Sequence, residues 1–207
     1  VVSVLLVRVL PTDRPHASAP PPPSPMTVLR SLRGPLGVVF CISAIGAFVQ
    51  RVFLTLSPII VFQAGGSEAR GAVTLSVYFA AQVGGTLMGG MLTDRMDRTQ
   101  LLAVLTALAV PAHLLALSLP PGSSSALLFA ACAGFLNMAM LPPIVVMAQE
   151  MVPESTAISS GIVMGLAWAA GSVGVLATGF FADIIGARSA ALISVPVLFV
   201  GSVLAFH

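Results

Sequence analysis

Charge is what this sequence has least of. Only 8% of its 207 residues are Asp, Glu, Lys or Arg, against about a quarter in an ordinary water-soluble domain. With 57% hydrophobic residues and a mean hydropathy of +1.04, no water-soluble fold could hide the apolar surface. Lysine is absent, and the nine basic residues are all Arg. The net charge of +2 is scattered and no basic and aromatic cluster follows a polyanion, which excludes nucleic acid as a partner. Cys41 and Cys132 are the only cysteines and both lie in apolar runs, too few for a disulfide framework or a zinc site. His113, the lone histidine of its apolar run, reads as a packed or interfacial residue. With no Ser-His-Asp set, zincin helix or His and carboxylate cluster, catalytic chemistry has no candidate residues, no metal site is predicted and no cofactor is implied.

What the chain does have is long apolar runs. A hydrocarbon core about 30 Å thick takes roughly 20 apolar residues per helix, so the chain fits about six crossings joined by short loops. Breaks at Gly, Ser and charge clusters give spans of Pro35–Phe62, Ala72–Leu92, Leu101–Leu119, Ser125–Met147, Ala157–Phe181 and Ser189–Ala205. The expected fold is an all-α membrane protein of six transmembrane helices, with the lipid bilayer as its surroundings.

Residues 1–34 read as the tail of a preceding helix plus a linker, because the tract around Pro20 to Pro25 cannot be helical. Ala17-Ser18-Ala19 mimics a signal-peptide cleavage site, but no basic region precedes the apolar run. No Met stands at the start, and the expectation is a chain cut from a longer one. Arg near span ends stays in the cytoplasm. A cytoplasmic start places Arg8, Arg14, Arg30, Arg33, Arg95 and Arg98 inside, against Arg70 and Arg188 outside. Both termini are therefore expected in the cytoplasm. Abundant Ala, Gly and Pro with Arg in place of Lys point to a bacterial plasma membrane.

Two loops repeat a pattern. The loop after the second span runs Gly90-Met-Leu-Thr-Asp94-Arg95-Met-Asp97-Arg98, and the loop after the fifth runs Gly179-Phe-Phe-Ala-Asp183-Ile-Ile-Gly186-Ala-Arg188. Both are Gly, three residues, Asp. Three spans separate them, and an odd number puts equivalent loops on opposite faces: two inverted three-helix repeats. Such repeats are nested in each half of major facilitator transporters. The first loop resembles that superfamily's signature at Gly90, Asp94, Arg95 and Arg98, although Asp97 stands at its usual Gly and Thr99 at its last basic residue. Gly179, Asp183, Gly186 and Arg188 form a degenerate copy.

The looser signature resembles that of a C-terminal six-helix half. The run Met147-Ala-Gln-Glu150-Met-Val-Pro153 before a Gly-rich helix is similar to the drug and fosmidomycin-resistance efflux branch. The resemblance implies proton-coupled efflux of a small organic solute, in the manner of a multidrug-resistance antiporter. It also implies a partner, either a missing N-terminal six-helix half or a second copy. In that family the first loop is thought to stabilise the outward-facing state through breakable charge contacts. From the residues alone, Asp94 is expected to meet a helix end or an Arg, and Gly90 to allow close backbone approach. A non-transporting scaffold or assembly protein is the rival class.

Ionisable and polar groups within spans are the path candidates. Arg51, beside Gln50 midway along the first span, is placed to attract an anionic solute group or to pair within the bundle. Thr74, Tyr78 and Gln82 fall on one face of the second span, for a solute path or for packing. Asn137 offers the same two roles, and Glu150 is a candidate proton carrier near the end of the fourth span. Gly85, Gly89, Gly161, Gly165 and Ala169 are expected to form packing grooves. Pro58, Pro111, Pro142, Pro143 and Pro196 are expected to kink their spans.

Overall fold

The computed structural model describes residues 30 and 32–206. Most of the tail and linker expected over 1–34, with Arg8 and Arg14, lies outside the described residues. The helices are α1 (Pro35–Gln63), α2 (Glu68–Thr93), α3 (Arg98–Ser118), α4 (Ser124–Ala139), α5 (Leu141–Met151), α6 (Thr156–Ser160), α7 (Ala167–Ile185), α8 (Ala187–Ser194) and α9 (Val197–Leu204). A 3-10 turn at Pro153–Ser155 precedes α6, and a π-helical segment at Gly161–Leu166 joins α6 to α7. Joined end to end they make six apolar crossings, Pro35–Gln63, Glu68–Thr93, Arg98–Ser118, Ser124–Met151, Thr156–Ile185 and Ala187–Leu204. No strand occurs among the described residues.

Local sequence sets where these helices start. Pro35 occupies the first turn of α1, where its missing N–H costs nothing. Ser67, Asp97 and Ser123 each cap a helix by accepting a backbone N–H, from Arg70 at 3.4 Å, Gln100 at 2.9 Å and Ala126 at 3.2 Å. Asp97, which departs from the family's usual Gly, therefore has a local task as the cap of α3. Gly186 has φ +88°, a conformation that a side chain would strain, and it turns α7 directly into α8.

The prolines act differently from one another. Pro58 and Pro111 sit inside α1 and α3, which continue through them. Pro142 and Pro143 have no N–H for the carbonyls of Met138 and Ala139, and the fourth span breaks at Met140. Pro196 separates α8 from α9 in the same way.

α1 and α3 form the middle of the bundle. Val49, Val52 and Phe53 of α1 and Leu101, Leu102, Ala109 and Val110 of α3 are nearly inaccessible. Their most apolar stretches are 56% buried, whereas those of the second and fifth spans are only 28% buried. Since lipid tails are as apolar as Leu, backbone proximity rather than burial must hold the helices together. A Cβ on Gly85 would sit 2.1 Å from the Phe135 carbonyl oxygen, one on Gly89 would sit 2.2 Å from that of Ala139, and one on Gly134 would sit 2.4 Å from that of Tyr78. These three glycines let α2 and α4 touch backbone to backbone. Gly171 does the same for α7 against α1, at 2.7 Å from the Phe48 nitrogen.

Several expectations need correction here. Gly161 and Gly165 meet nothing within 4 Å of a notional Cβ, and Ala169 is exposed. The contact falls farther along the span, at Gly171 and Gly174. Gly90 is likewise open, and its neighbour Gly89 makes the close approach.

Candidate functional site

Ser43, Gly46 and Gln50 follow one stripe of α1, at intervals of three and four residues. They face the broken part of the fourth span and Trp168 of α7 across a narrow cleft that Asn137, Met140 and Ile144 also line. Fifteen residues of α1 precede Gln50 and thirteen follow it, so at about 1.5 Å per residue the cleft lies near mid-depth. Two irregular segments meet there. Met140 marks the break in the fourth span, and the π-helical segment presents the Val163 carbonyl to the Ser43 hydroxyl, which donates to it at 2.5 Å. Asn137 Nδ2 donates to the Gly46 carbonyl at 3.2 Å. Ser43 and Asn137 thus fasten the walls, and Gln50, 6% exposed, has no side-chain hydrogen bond among the described residues.

Arg51 lies on the outside of the six-helix body. Its guanidinium carbon stands 5.9 Å from the centre of the Trp168 ring, within the range of a cation–π contact. No carboxylate pairs with it among the described residues. The alternative of a pairing inside the bundle is therefore corrected: Arg51 faces outward beside the cleft.

Thr74, Tyr78 and Gln82 share a face, and that face is buried. Thr74 donates to the Arg70 carbonyl at 3.0 Å. Tyr78 is wholly inaccessible, stacked 4.6 Å from Phe53, with its hydroxyl 3.3 Å from His113 Nε2. His113 Nδ1 is 2.8 Å from the Ala109 carbonyl, so Nδ1–H donates there and Nε2 accepts from Tyr78. This buried chain links α2 to α3 away from the cleft. In this conformation Tyr78 is a core residue and not a path lining.

The two repeated loops sit at opposite ends of α3. At one end Arg98 pairs with Glu150, joining the start of α3 to the end of the fourth span. At the other end Arg188 donates to the carbonyls of Leu117 at 2.8 Å, Ser118, and Leu119 at 3.1 Å, where α3 runs out of partners. Such an opposed placement is what two inverted triplets require. The sequence profile of the Major Facilitator Superfamily matches residues 1–173.

The chain belongs to the major facilitator superfamily. It is therefore a multi-pass membrane transport protein, of a family that is not enzymatic. Comparison with curated proteins finds no match. In this facilitator Asp94 and Arg95 of the signature loop are exposed and have no ion-pair partner among the described residues; the Arg that Asp94 was expected to meet is not there, and the loop's ion pair is instead that of Arg98 with Glu150. Glu150 is 58% exposed and serves Arg98. The expected desolvated proton carrier is thus corrected to a wet ion-pair partner. Gly179 is half-buried and Asp183 exposed, with Asp183 in no ion pair among the described residues. Among the described residues no group of three or more His, Cys, Asp or Glu could hold a metal.

Sequence reasoning missed Ser43, Met140 and Trp168. A signal was present for each: Ser43 lies seven residues before Gln50, Met140 stands two residues before a Pro pair, and Trp168 is the single tryptophan of the chain. What was lacking was the pairing of spans that brings them together.

Proposed function

We propose that this facilitator moves a small organic solute by alternating access, with the mid-depth cleft between the first, fourth and fifth spans as its part of the solute site. The observation that carries this is the convergence of two irregular helix segments on one cleft beside an uncommitted amide, Gln50. Solute sites of secondary transporters form near mid-membrane at discontinuous helices, because only there can backbone and side-chain polar groups be offered without an intact helix absorbing them.

A second six-helix unit completes the cavity, either a further part of the same polypeptide or a second copy. The exposed apolar faces support this. The second and fifth spans occupy equivalent places in the two triplets and are equally poorly buried. They present Phe79, Val83 and Leu87 on one and Val173, Leu176 and Phe180 on the other. The direction is efflux, on the similarity of the Met147 to Pro153 run, and the coupling ion is a proton. No Asp or Glu stands at mid-depth among the described residues, and a second copy would bring none either, so proton coupling favours a further part of the same polypeptide as the source of the proton-carrying acid. The membrane is a bacterial inner membrane with the signature loop in the cytoplasm.

The test is resistance and flux. Expression in drug-sensitive bacteria is expected to raise tolerance to some members of a panel of small organic toxicants, and Gln50→Leu to remove that tolerance at equal membrane abundance. Vesicles bearing the protein should move the same compounds when a pH gradient is imposed. Absence of both effects, with Gln50→Leu altering only recovery of co-purifying membrane proteins, would return the chain to a scaffold role.

A further inference from the structure

We propose that the solute is an organic anion with a flat apolar body, bound with its carboxylate, sulfonate or phosphonate on Arg51 and its body laid on Trp168 across the mouth of the cleft. This deepens the cleft reading and rests on it. Arg51 is sixteen residues into a helix of 29, roughly 24 Å along its axis, far from either aqueous end. A guanidinium at that depth needs an anion or water, because it cannot be neutralised by losing its proton. The other arginines of the described chain have partners or water. Arg98 holds Glu150, Arg188 holds three carbonyls, and Arg30, Arg33, Arg70 and Arg95 are exposed at or beyond span ends.

Arg51 alone stands at mid-depth with an aromatic ring as its neighbour and no oxygen partner among the described residues. Trp168 ties it to the cleft, since the same indole lines the cleft and lies under the guanidinium. Stacking on the ring holds the guanidinium plane while leaving its N–H groups free, and a planar fork of donors matches a carboxylate or related anion. The rest of the wall asks for an apolar body. The cleft itself, lined by Met140 and Ile144, holds only about 20 Å³, so the body rests on the Trp168 indole at its mouth, with the amide of Gln50 beneath as a neutral donor and acceptor. A cationic solute would meet Arg51 repulsively with no carboxylate in the cleft to offset it.

The experiment uses the protein reconstituted in phosphatidylcholine vesicles at neutral pH and reads quenching of Trp168 fluorescence by para-nitrobenzoate and by its uncharged isostere para-nitrobenzamide. A Trp168→Phe variant is subtracted as background. The expected result is saturable quenching at concentrations about tenfold lower for the anion, since a charge-assisted contact in a dry site is the discriminating term. Arg51→Gln should abolish that preference without changing the response to the amide, and Arg51→Lys should keep part of it. Equal saturable titrations by both probes would keep the cleft and overturn the anion. An Arg51→Gln protein that loses its membrane abundance while the anion preference in the surviving fraction is unchanged would assign the counter-charge to a partner carboxylate, and that also overturns it. No saturable quenching by either probe would overturn the cleft reading itself.

Discussion

Gly89 and Gly90 are adjacent, both helical, and differ only in what stands opposite them. A methyl group on Gly89 would lie 2.2 Å from the carbonyl oxygen of Ala139 and 2.8 Å from its Cα. A methyl on Gly90 would meet nothing within 4 Å. Carbon and oxygen settle at about 3.3–3.6 Å, so Gly89→Ala has to push α2 more than an ångström from α4. The obstacle is backbone and no rotamer relieves it. The displaced carbonyl is a special one, because Pro143 offers it no N–H. Overpacking of this kind costs about 1–3 kcal/mol, against which the methyl returns up to about 1 kcal/mol of helix propensity.

Gly90→Ala receives the propensity gain with no clash. The two variants should therefore differ by about 1–3 kcal/mol in opposite directions from the parent protein. Reversible unfolding of the purified protein in mixed micelles by SDS titration measures this, with thermal unfolding as a second scale. Glycine contact between α2 and α4 is refuted as a main fastening if Gly89→Ala is as stable as Gly90→Ala.

Three further outcomes are expected. Exchanging Arg98 and Glu150 as the double variant Arg98→Glu with Glu150→Arg should restore the transport rate lost in either single variant. The same pair should contribute under about 1 kcal/mol to stability, being half exposed, and a double-mutant cycle of flux and unfolding separates the two effects. Arg188→Gln should cost about 1.5–3 kcal/mol by removing charged hydrogen bonds from the end of α3, and Arg188→Lys should recover little because a single ammonium cannot serve three carbonyls. Hydrogen exchange in the last turn of α3 reports it. Tyr78→Phe should cost about 1–3 kcal/mol by leaving His113 Nε2 buried without a partner, whereas Tyr78→Phe combined with His113→Leu should cost less than the single change. Equal losses in the single and double variants would remove the Tyr78–His113 contact from the account.

The number and approximate place of the crossings were legible in the sequence, since apolar run length is a direct response to bilayer thickness. The loops at Gly90 and Gly179 exposed the inverted repeat for a similar reason. A local pattern repeated three spans apart needs no contact information. Residue roles were less legible where two neighbours shared a chemistry. Gly89 and Gly90 look alike in sequence, and only the position of Ala139 tells them apart. Tyr78 was a fair path candidate by type and face, but which face of α2 turns inward depends on where α3 and its His113 stand. Glu150 was read by its depth, and the partner that defines it comes from a loop 52 residues away.

By itself the sequence determined the solvent, the secondary structure and the symmetry of this facilitator. Hydrocarbon admits only backbones that satisfy their own hydrogen bonds, so composition and run length left helices as the form available to it. The tertiary structure decided which polar groups are spent and which are left over. Ser43 and Asn137 are spent on the carbonyls of Val163 and Gly46, Tyr78 on His113, and Arg98 on Glu150. Gln50 and Arg51 are left at mid-depth. That division depends on angles and distances between helices far apart in the chain, set by glycine contacts of one carbon's width, and no local pattern encodes it.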